Sequence, residues 1–202
     1  MDAEKDVKFY SIKGEVRILG LDDGHFDFRK DKKALVVGVV FRGGSYLDGV
    51  LRTEVSVDGT DSTKKIIRLV NDSKFKDIRV IMLDGLGFAG FNLIDIDRLF
   101  RKTGLPVIVV VRRMPDFEAI ENAIKNLAHR KYYRRCIRTA GRPEKIEIRS
   151  GKHIYIQHRG ISFENAKRIV ALSSTRSLIP EPIRVAHLIA SGIVLGESRR
   201  GA

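Results

Sequence analysis

The chain has 202 residues, 43% of them apolar, and a formal net charge of +13. That length suits one domain with a full hydrophobic core. No run is long and apolar enough to span a bilayer and no charged-then-apolar start reads as a secretory signal, so a cytoplasmic protein is expected. Cys136 is the sole cysteine, which excludes an internal disulfide and a cysteine-based zinc site. The charge is uneven: residues 1–128 hold 22 basic and 20 acidic groups, whereas residues 129–159 hold 10 and 2. A basic segment of that kind attracts polyanions, with phosphate backbones the usual partner. The same composition also suits the solvated face of a protein adapted to heat or salt.

Val16–Leu21 and Ala34–Phe41 are apolar runs, the second closed by the turn signal Arg42-Gly43-Gly44-Ser45, and Tyr46–Val57 alternates loosely. Together they predict an antiparallel meander. Asp61–Asn71 has Ile66, Ile67 and Val70 at helical spacing, and Ile78–Leu83 is a compact strand. Phe91–Lys102 reads as a helix ended by Thr103-Gly104, with Pro106 blocking its continuation. Val107–Val111 holds four valines in five residues, the pattern of a strand buried on both faces. Pro115–Ala128 is helical, with Ile120, Ile124 and Leu127 on one side. Lys145–Arg149 and His153–Gln157 flank Ser150-Gly151 as a hairpin within the basic segment. Ser162 caps a helix through Leu172, and Pro182 suits the first turn of a last helix reaching about Leu195. A meander followed by α/β alternation predicts one α/β domain over 1–202: a mixed central sheet flanked by helices, with a basic hairpin segment at about 129–159.

Asp22 and Asp84 each directly follow a strand-like run. If the strands are neighbours, the two carboxylates meet at one end of the sheet, where their repulsion calls for a cation. Hard oxygen ligands suit Mg²⁺ or Mn²⁺, and such an ion activates water and stabilises charge on a phosphoryl group. Asp23-Gly24, Asp58-Gly59 and Asp84-Gly85 are also plain turn chemistry, and the pattern alone leaves both readings open. His187 shares a helical face with Ile183, Ala190 and Val194, a placement that fits a core histidine as well as a site residue. Gly85 and Gly87 would let backbone amides approach a ligand closely, or serve as loop glycines. There is no Gly-x-Ser-x-Gly elbow, no Gly-x-x-x-x-Gly-Lys phosphate loop and no His-x-x-x-His helix.

Taken together, these stretches resemble endonuclease V, and the whole chain is similar to an archaeal family related to it. Gly20-Leu21-Asp22 resembles the end of that family's first strand. Asp84-Gly85-Leu86-Gly87 resembles its Asp-Gly-His-Gly signature, with leucine in place of the histidine. Pro106 leads through Val107–Val111 to Arg112-Arg113 where the family has a lysine. Ile154 to Ser162 resembles the later strand and its turn, and Ile179 to His187 nearly reproduces the closing Leu-Pro-Glu-Pro-x-Arg-x-Ala-His pattern.

The resemblance implies a ribonuclease H-like fold and an Mg²⁺- or Mn²⁺-dependent nuclease that cleaves DNA or RNA near deaminated bases. It implies Asp22 and Asp84 as metal ligands, His187 at the same metal as a ligand or through water, and Arg112 or Arg113 near the scissile phosphate. It implies Gly85 and Gly87 along a pocket for an extruded base. The family's metal-binding glutamate has no counterpart, and Asp61, or less directly Asp58, stands nearest its place. The family's DNA-opening wedge is missing. In the basic segment, Tyr132 and Tyr133 beside Arg134 and Arg135 would track the strand, and the tyrosines suit stacking on bases and packing within the fold equally. Two readings follow: a metal-dependent nucleic-acid phosphodiesterase, or a nucleic-acid-binding protein on the same fold that no longer cuts. Phosphoryl chemistry on a small molecule is a third.

Overall fold

The computed structural model describes residues 6–9, 11–125 and 127–198. Strands β1 (Arg17–Asp23), β2 (Lys33–Arg42) and β3 (Tyr46–Ser56) form the antiparallel meander that their apolar runs predict. Helix α1 (Ser62–Asp72) then leads to β4 (Val80–Asp84), which lies parallel to β1. A two-stranded ribbon, β5 (Gly87–Phe88) with β6 (Asn92–Leu93), precedes α2 (Ile96–Thr103), and β7 (Val107–Val111) pairs parallel to β4. Two helices follow, α3 (Phe117–Ile124) and α4 (Arg130–Ala140). The hairpin of β8 (Glu144–Arg149) and β9 (Lys152–Arg159) extends the sheet antiparallel to β7. Helices α5 (Phe163–Ser173) and α6 (Glu181–Leu195) close the chain. The seven-stranded mixed sheet runs in the order β3-β2-β1-β4-β7-β9-β8.

The sheet is covered on both sides, which is why its central strands are near-continuous apolar runs. On one face Leu19, Leu21, Ile81, Leu83, Val107 and Val109 pack with residues of α1 and α2. On the other, Ile18, Val80, Met82, Ile108 and Val110 pack with α5 and the start of α6, while Val37 and Val39 meet Ala186 and Ala190 further along α6. Among the described residues no helix is long and apolar enough to cross a membrane.

Three elements differ from the sequence expectation. Helix α2 starts at Ile96, not Phe91, because Asn92 is buried and committed elsewhere: its side chain accepts from Ser62 N–H (3.0 Å) and donates to Ser56 C=O (2.8 Å). The helix is capped instead by Asp95, which accepts from Arg98 N–H at 2.9 Å. The helix expected over Pro115–Ala128 is confined to Phe117–Ile124, capped by Asp116; Asn126 of that span lies outside the described residues. Helix α4 was not expected. Its eleven residues include five Lys or Arg, yet Tyr133, Cys136, Ile137 and Ala140 recur at three- and four-residue spacing and form its inward stripe.

The last helix approaches β1 closely. A Cβ on Gly20 would overlap the carbonyl and side chain of Pro182, so only glycine lets the first turn of α6 rest on the strand. Gly20→Ala should therefore push α6 outward and lower the unfolding free energy by about 1–3 kcal/mol, read from guanidinium unfolding curves. An unchanged midpoint would show that the contact is slack.

Candidate active site

Side chains on a strand alternate between faces, and β1, β4 and β7 are in register, Leu21 beside Leu83 and Asp84 beside Val110. The next residues, Asp22 and Asp84, therefore stand side by side just past the end of the β1–β4 pairing. Both belong to the parity set that faces α5 and α6, with Gly20 and Ile18 on β1 and with Met82 and Val80 on β4. Arg112, two residues beyond Val110, has the same parity on β7. Its guanidinium donates to Asp84 Oδ2 at 3.2 Å. From the facing helix, His187 Nδ1 lies 2.8 Å from Asp22 Oδ2. These four groups, with Asp23 and Arg113, line an open cleft of about 840 Å³ at the ends of the strands.

The electrostatics follow from burial. Desolvation pushes the Asp22 carboxyl up to about 7; the His187 hydrogen bond opposes this, while the neighbouring Asp84 and Asp23 charges add to it. Burial also raises Asp84, against the opposing effect of Arg112 and His187. The hydrogen bond to Asp22 raises the His187 imidazole. Asp23 was not singled out from the sequence. Its parity turns it to the other face, where Oδ2 accepts from Ala89 N–H at 2.7 Å and ties the β5–β6 ribbon to the cleft. Burial raises its carboxyl in turn. The adjacency Asp22-Asp23 at a strand end was the available signal.

A second, more apolar hollow of about 210 Å³ opens beside the cleft and shares Val111 with it. Gly85 lines the cleft with a left-handed backbone (φ 79°), which turns the chain so that Leu86 and Gly87 line the hollow. Phe91, Phe117 and Ile120 form further walls, and Gln157 of β9 contributes the polar side chain. Phe28, 64% exposed and packed edge-on against Phe26 of the cleft at 4.6 Å, stands against Gly90 at the rim of the hollow.

The remaining expected site residues lie elsewhere. Asp61 does not line the cleft. Its Oδ1 accepts from Ser56 N–H (3.0 Å) and Asn92 Nδ2 (2.7 Å), and its Oδ2 bonds Ser56 Oγ (3.1 Å). Burial works to raise its carboxyl, but these hydrogen bonds outweigh that and hold it below the usual range. Asp58 is likewise committed, accepting from Phe91 N–H at 2.8 Å. The set of three carboxylates and a histidine expected from sequence, with Asp61 or Asp58 as the third acid, thus reduces to Asp22 and Asp84 with His187. Among the described residues no three His, Cys, Asp or Glu side chains are grouped as a ready metal cluster.

Tyr133 is buried and donates to Asp58 C=O (3.1 Å), and Tyr132 donates to Leu93 C=O (3.0 Å) and meets Thr63 Oγ1 (3.1 Å). Arg134 pairs with Glu121, and Arg135 with Asp95 at 2.8 Å. These four residues fasten α4 to its neighbours and do not line the cleft, an arrangement that agrees with the packing alternative for the tyrosines.

The pair of carboxylates fits a hard divalent cation. Both are desolvated and mutually repelling, both offer only oxygen donors, and the cleft is open to water and phosphate.

Comparison with known proteins places this arrangement. The family described as Endonuclease dU matches residues 14–194. A UPF0215 protein of Methanothermobacter thermautotrophicus is 54% identical over 196 residues, covering 96% of this chain and 95% of the relative. A crystal structure of a protein of unknown function from Archaeoglobus fulgidus superposes with a TM-score of 0.79 at 44% identity, over 88% of this chain and 98% of that one. The endonuclease V of Streptomyces avermitilis superposes with a TM-score of 0.63 at 15% identity, over 94% of this chain and 84% of that one. That likeness shows the shared ribonuclease H-like fold.

The charge on Asp22 has a measurable cost. Its carboxyl titrates near 3.8 in the unfolded chain and near 7 in the folded one, so the folded state binds the extra proton between those values. Stability from this group is complete below about pH 4 and is lost as pH rises through 7. Without divalent metal, Asp22→Asn should match the wild type near pH 4 and exceed it by roughly 2–4 kcal/mol at pH 8. Denaturant unfolding in EDTA across that range measures the gap; a pH-independent difference would contradict it.

Proposed function

This chain belongs to the endonuclease dU family, and we propose that it is a divalent-metal-dependent phosphodiesterase that cuts nucleic acid at deaminated bases. The observation that carries this reading is the pair Asp22 and Asp84, side by side at the ends of two parallel strands in an open cleft, with the Arg112 guanidinium on Asp84. Asp22 and Asp84 would hold Mg²⁺ or Mn²⁺, which when bound supplies an activated water and charge neutralisation at a phosphate.

The chain's own residues do the rest. His187 holds Asp22 through Nδ1, fixing the orientation of that carboxylate and leaving its second ring nitrogen for a proton or a water. The Arg112 guanidinium, on Asp84, can move to a phosphate oxygen; Arg113 lines the same cleft. A base turned out of its stack would enter the hollow beside Gly87, with Phe28 at the rim to cover the stack it leaves. The endonuclease V of Ciona intestinalis, solved in complex with a 24mer DNA containing an inosine, is a fold relative at a TM-score of 0.54 and 19% identity.

One observation favours the binding-only alternative: Asp61 is turned away from the cleft, so of the carboxylates expected to hold an ion only Asp22 and Asp84 remain in place. The test is direct. Single strands of DNA or RNA carrying deoxyuridine, inosine or only ordinary bases are incubated with Mn²⁺, Mg²⁺ or EDTA. Cutting should require the metal and the modified base, fall to background in Asp84→Ala, and drop about 10²–10³-fold in Arg112→Ala. Mn²⁺ should also raise the melting temperature of the wild type and not that of Asp84→Ala. Strands retained but uncut under every condition would establish the binding-only reading.

A further inference from the structure

We propose that Gln157 reads the base held in the hollow, admitting rings that present an N–H and rejecting rings that present a bare nitrogen; the inference rests on the nucleic-acid reading above. Gln157 is 5% exposed and sits on β9 opposite Val109. Its Nε2 donates to the Gly141 carbonyl at 2.6 Å. A carbonyl only accepts, so the amide cannot be turned over without losing that bond, and the orientation of the group is settled by its partner. Oε1 is left with no hydrogen-bond donor among the described residues, in a hollow whose other walls are Leu86, Phe91, Leu93, Phe117 and Ile120.

A fixed, unpaired acceptor at the side of an apolar slot is costly to bury unless a ligand donates to it. Uracil and hypoxanthine carry a ring N–H where cytosine and adenine carry a lone pair. The first pair would satisfy Oε1, and the second would set acceptor against acceptor. A site built to receive a donor rejects the analogue lacking one far more strongly than an apolar pocket rejects an extra methyl group. Thymine and guanine also carry a ring N–H, but normal pairing retains them in a duplex, whereas a mismatched deaminated base leaves the stack at the least cost. Selection would thus be divided between the duplex, which releases mispaired bases, and Gln157, which checks the edge of what is released.

The test reads binding, not cutting, and so stands apart from the nuclease assay. In EDTA, at a salt concentration that suppresses non-specific phosphate contacts, fluorescence anisotropy compares single strands carrying one deoxyuridine, one N3-methyldeoxyuridine or one deoxycytidine at the same position. The wild type should bind the deoxyuridine strand at least about tenfold more tightly than either of the others. Gln157→Met, matched in length and without the acceptor, should bring all three within about threefold, chiefly by weakening the first.

Equal wild-type affinity for deoxyuridine and deoxycytidine strands, or no binding at all, overturns the proposal without recourse to any variant. A Gln157→Met protein with an unchanged melting temperature and an unchanged preference also overturns it, leaving Gln157 as a strut for Gly141 alone. Base preference without cutting would keep the proposal and sink the phosphodiesterase reading; cutting without base preference would do the reverse.

Discussion

The pairing of β1 with β4 and of β4 with β7 sets a single register, Leu21 beside Leu83 and Asp84 beside Val110, and each polar group of the cleft takes its position from it. Because side chains alternate, that register decides which of two adjacent aspartates meets His187 and which meets Ala89. It also delivers Arg112 to Asp84, while the antiparallel pairing of β9 with β7 sets Gln157 opposite Val109 on the other face, beside the hollow. A slip of one residue on β4 would replace Asp84 by a leucine or a glycine and exchange its core and cleft faces. The apolar runs that hold the strands together and the acids that end them are therefore one constraint: the hydrophobic burial of Leu83 and Met82 places Asp84.

The parts of this arrangement legible in the sequence were those with a local signature. Val107–Val111 was found to the residue because five apolar positions between a proline and two arginines admit no other register. Asp22, Asp84 and His187 were legible through resemblance, since alternation alone could not say that β1 and β4 are neighbours. What escaped was set by distant partners. Nothing near Asp61 reveals that Asn92, thirty-one positions away, claims its carboxylate. Helix α4 was hidden by its own charge: an apolar stripe of four residues is easily lost among five Lys or Arg. Tyr132 and Tyr133 looked like aromatic groups among cations, a pattern shared by stacking surfaces and by helices pinned through hydroxyl groups, and only the fold distinguishes them.

The basic segment also changes character once folded. Its +8 excess suggested a free polycationic surface on a near-neutral body. Several of its arginines instead meet acids contributed by earlier helices: Arg134 with Glu121, Arg135 with Asp95, and Arg159 with Asp97. Whatever each contributes to stability, these pairs consume charge that would otherwise face a polyanion. Among the described residues, the Lys and Arg that line the acidic cleft are Arg112 and Arg113, just past the end of β7, and Arg112 is itself paired with Asp84. Three of the segment's ten cations are thus paired within the fold, so less of its charge is left for a polyanion than the count along the chain implies.

Where Gly20 meets Pro182, the strand offers bare main chain to the carbonyl and ring of the proline. Ordinary core contacts can drift, because a lost methyl group in one side chain can be made up by a gain in its neighbour and the elements resettle. A contact made on bare main chain has little such slack, since any side chain at Gly20 would have to displace the helix. The separation of the strand bearing Asp22 from the helix bearing His187 is thus written into covalent geometry. Repacking elsewhere in the core can loosen or tighten the protein as a whole, yet it leaves the gauge between those two residues unchanged.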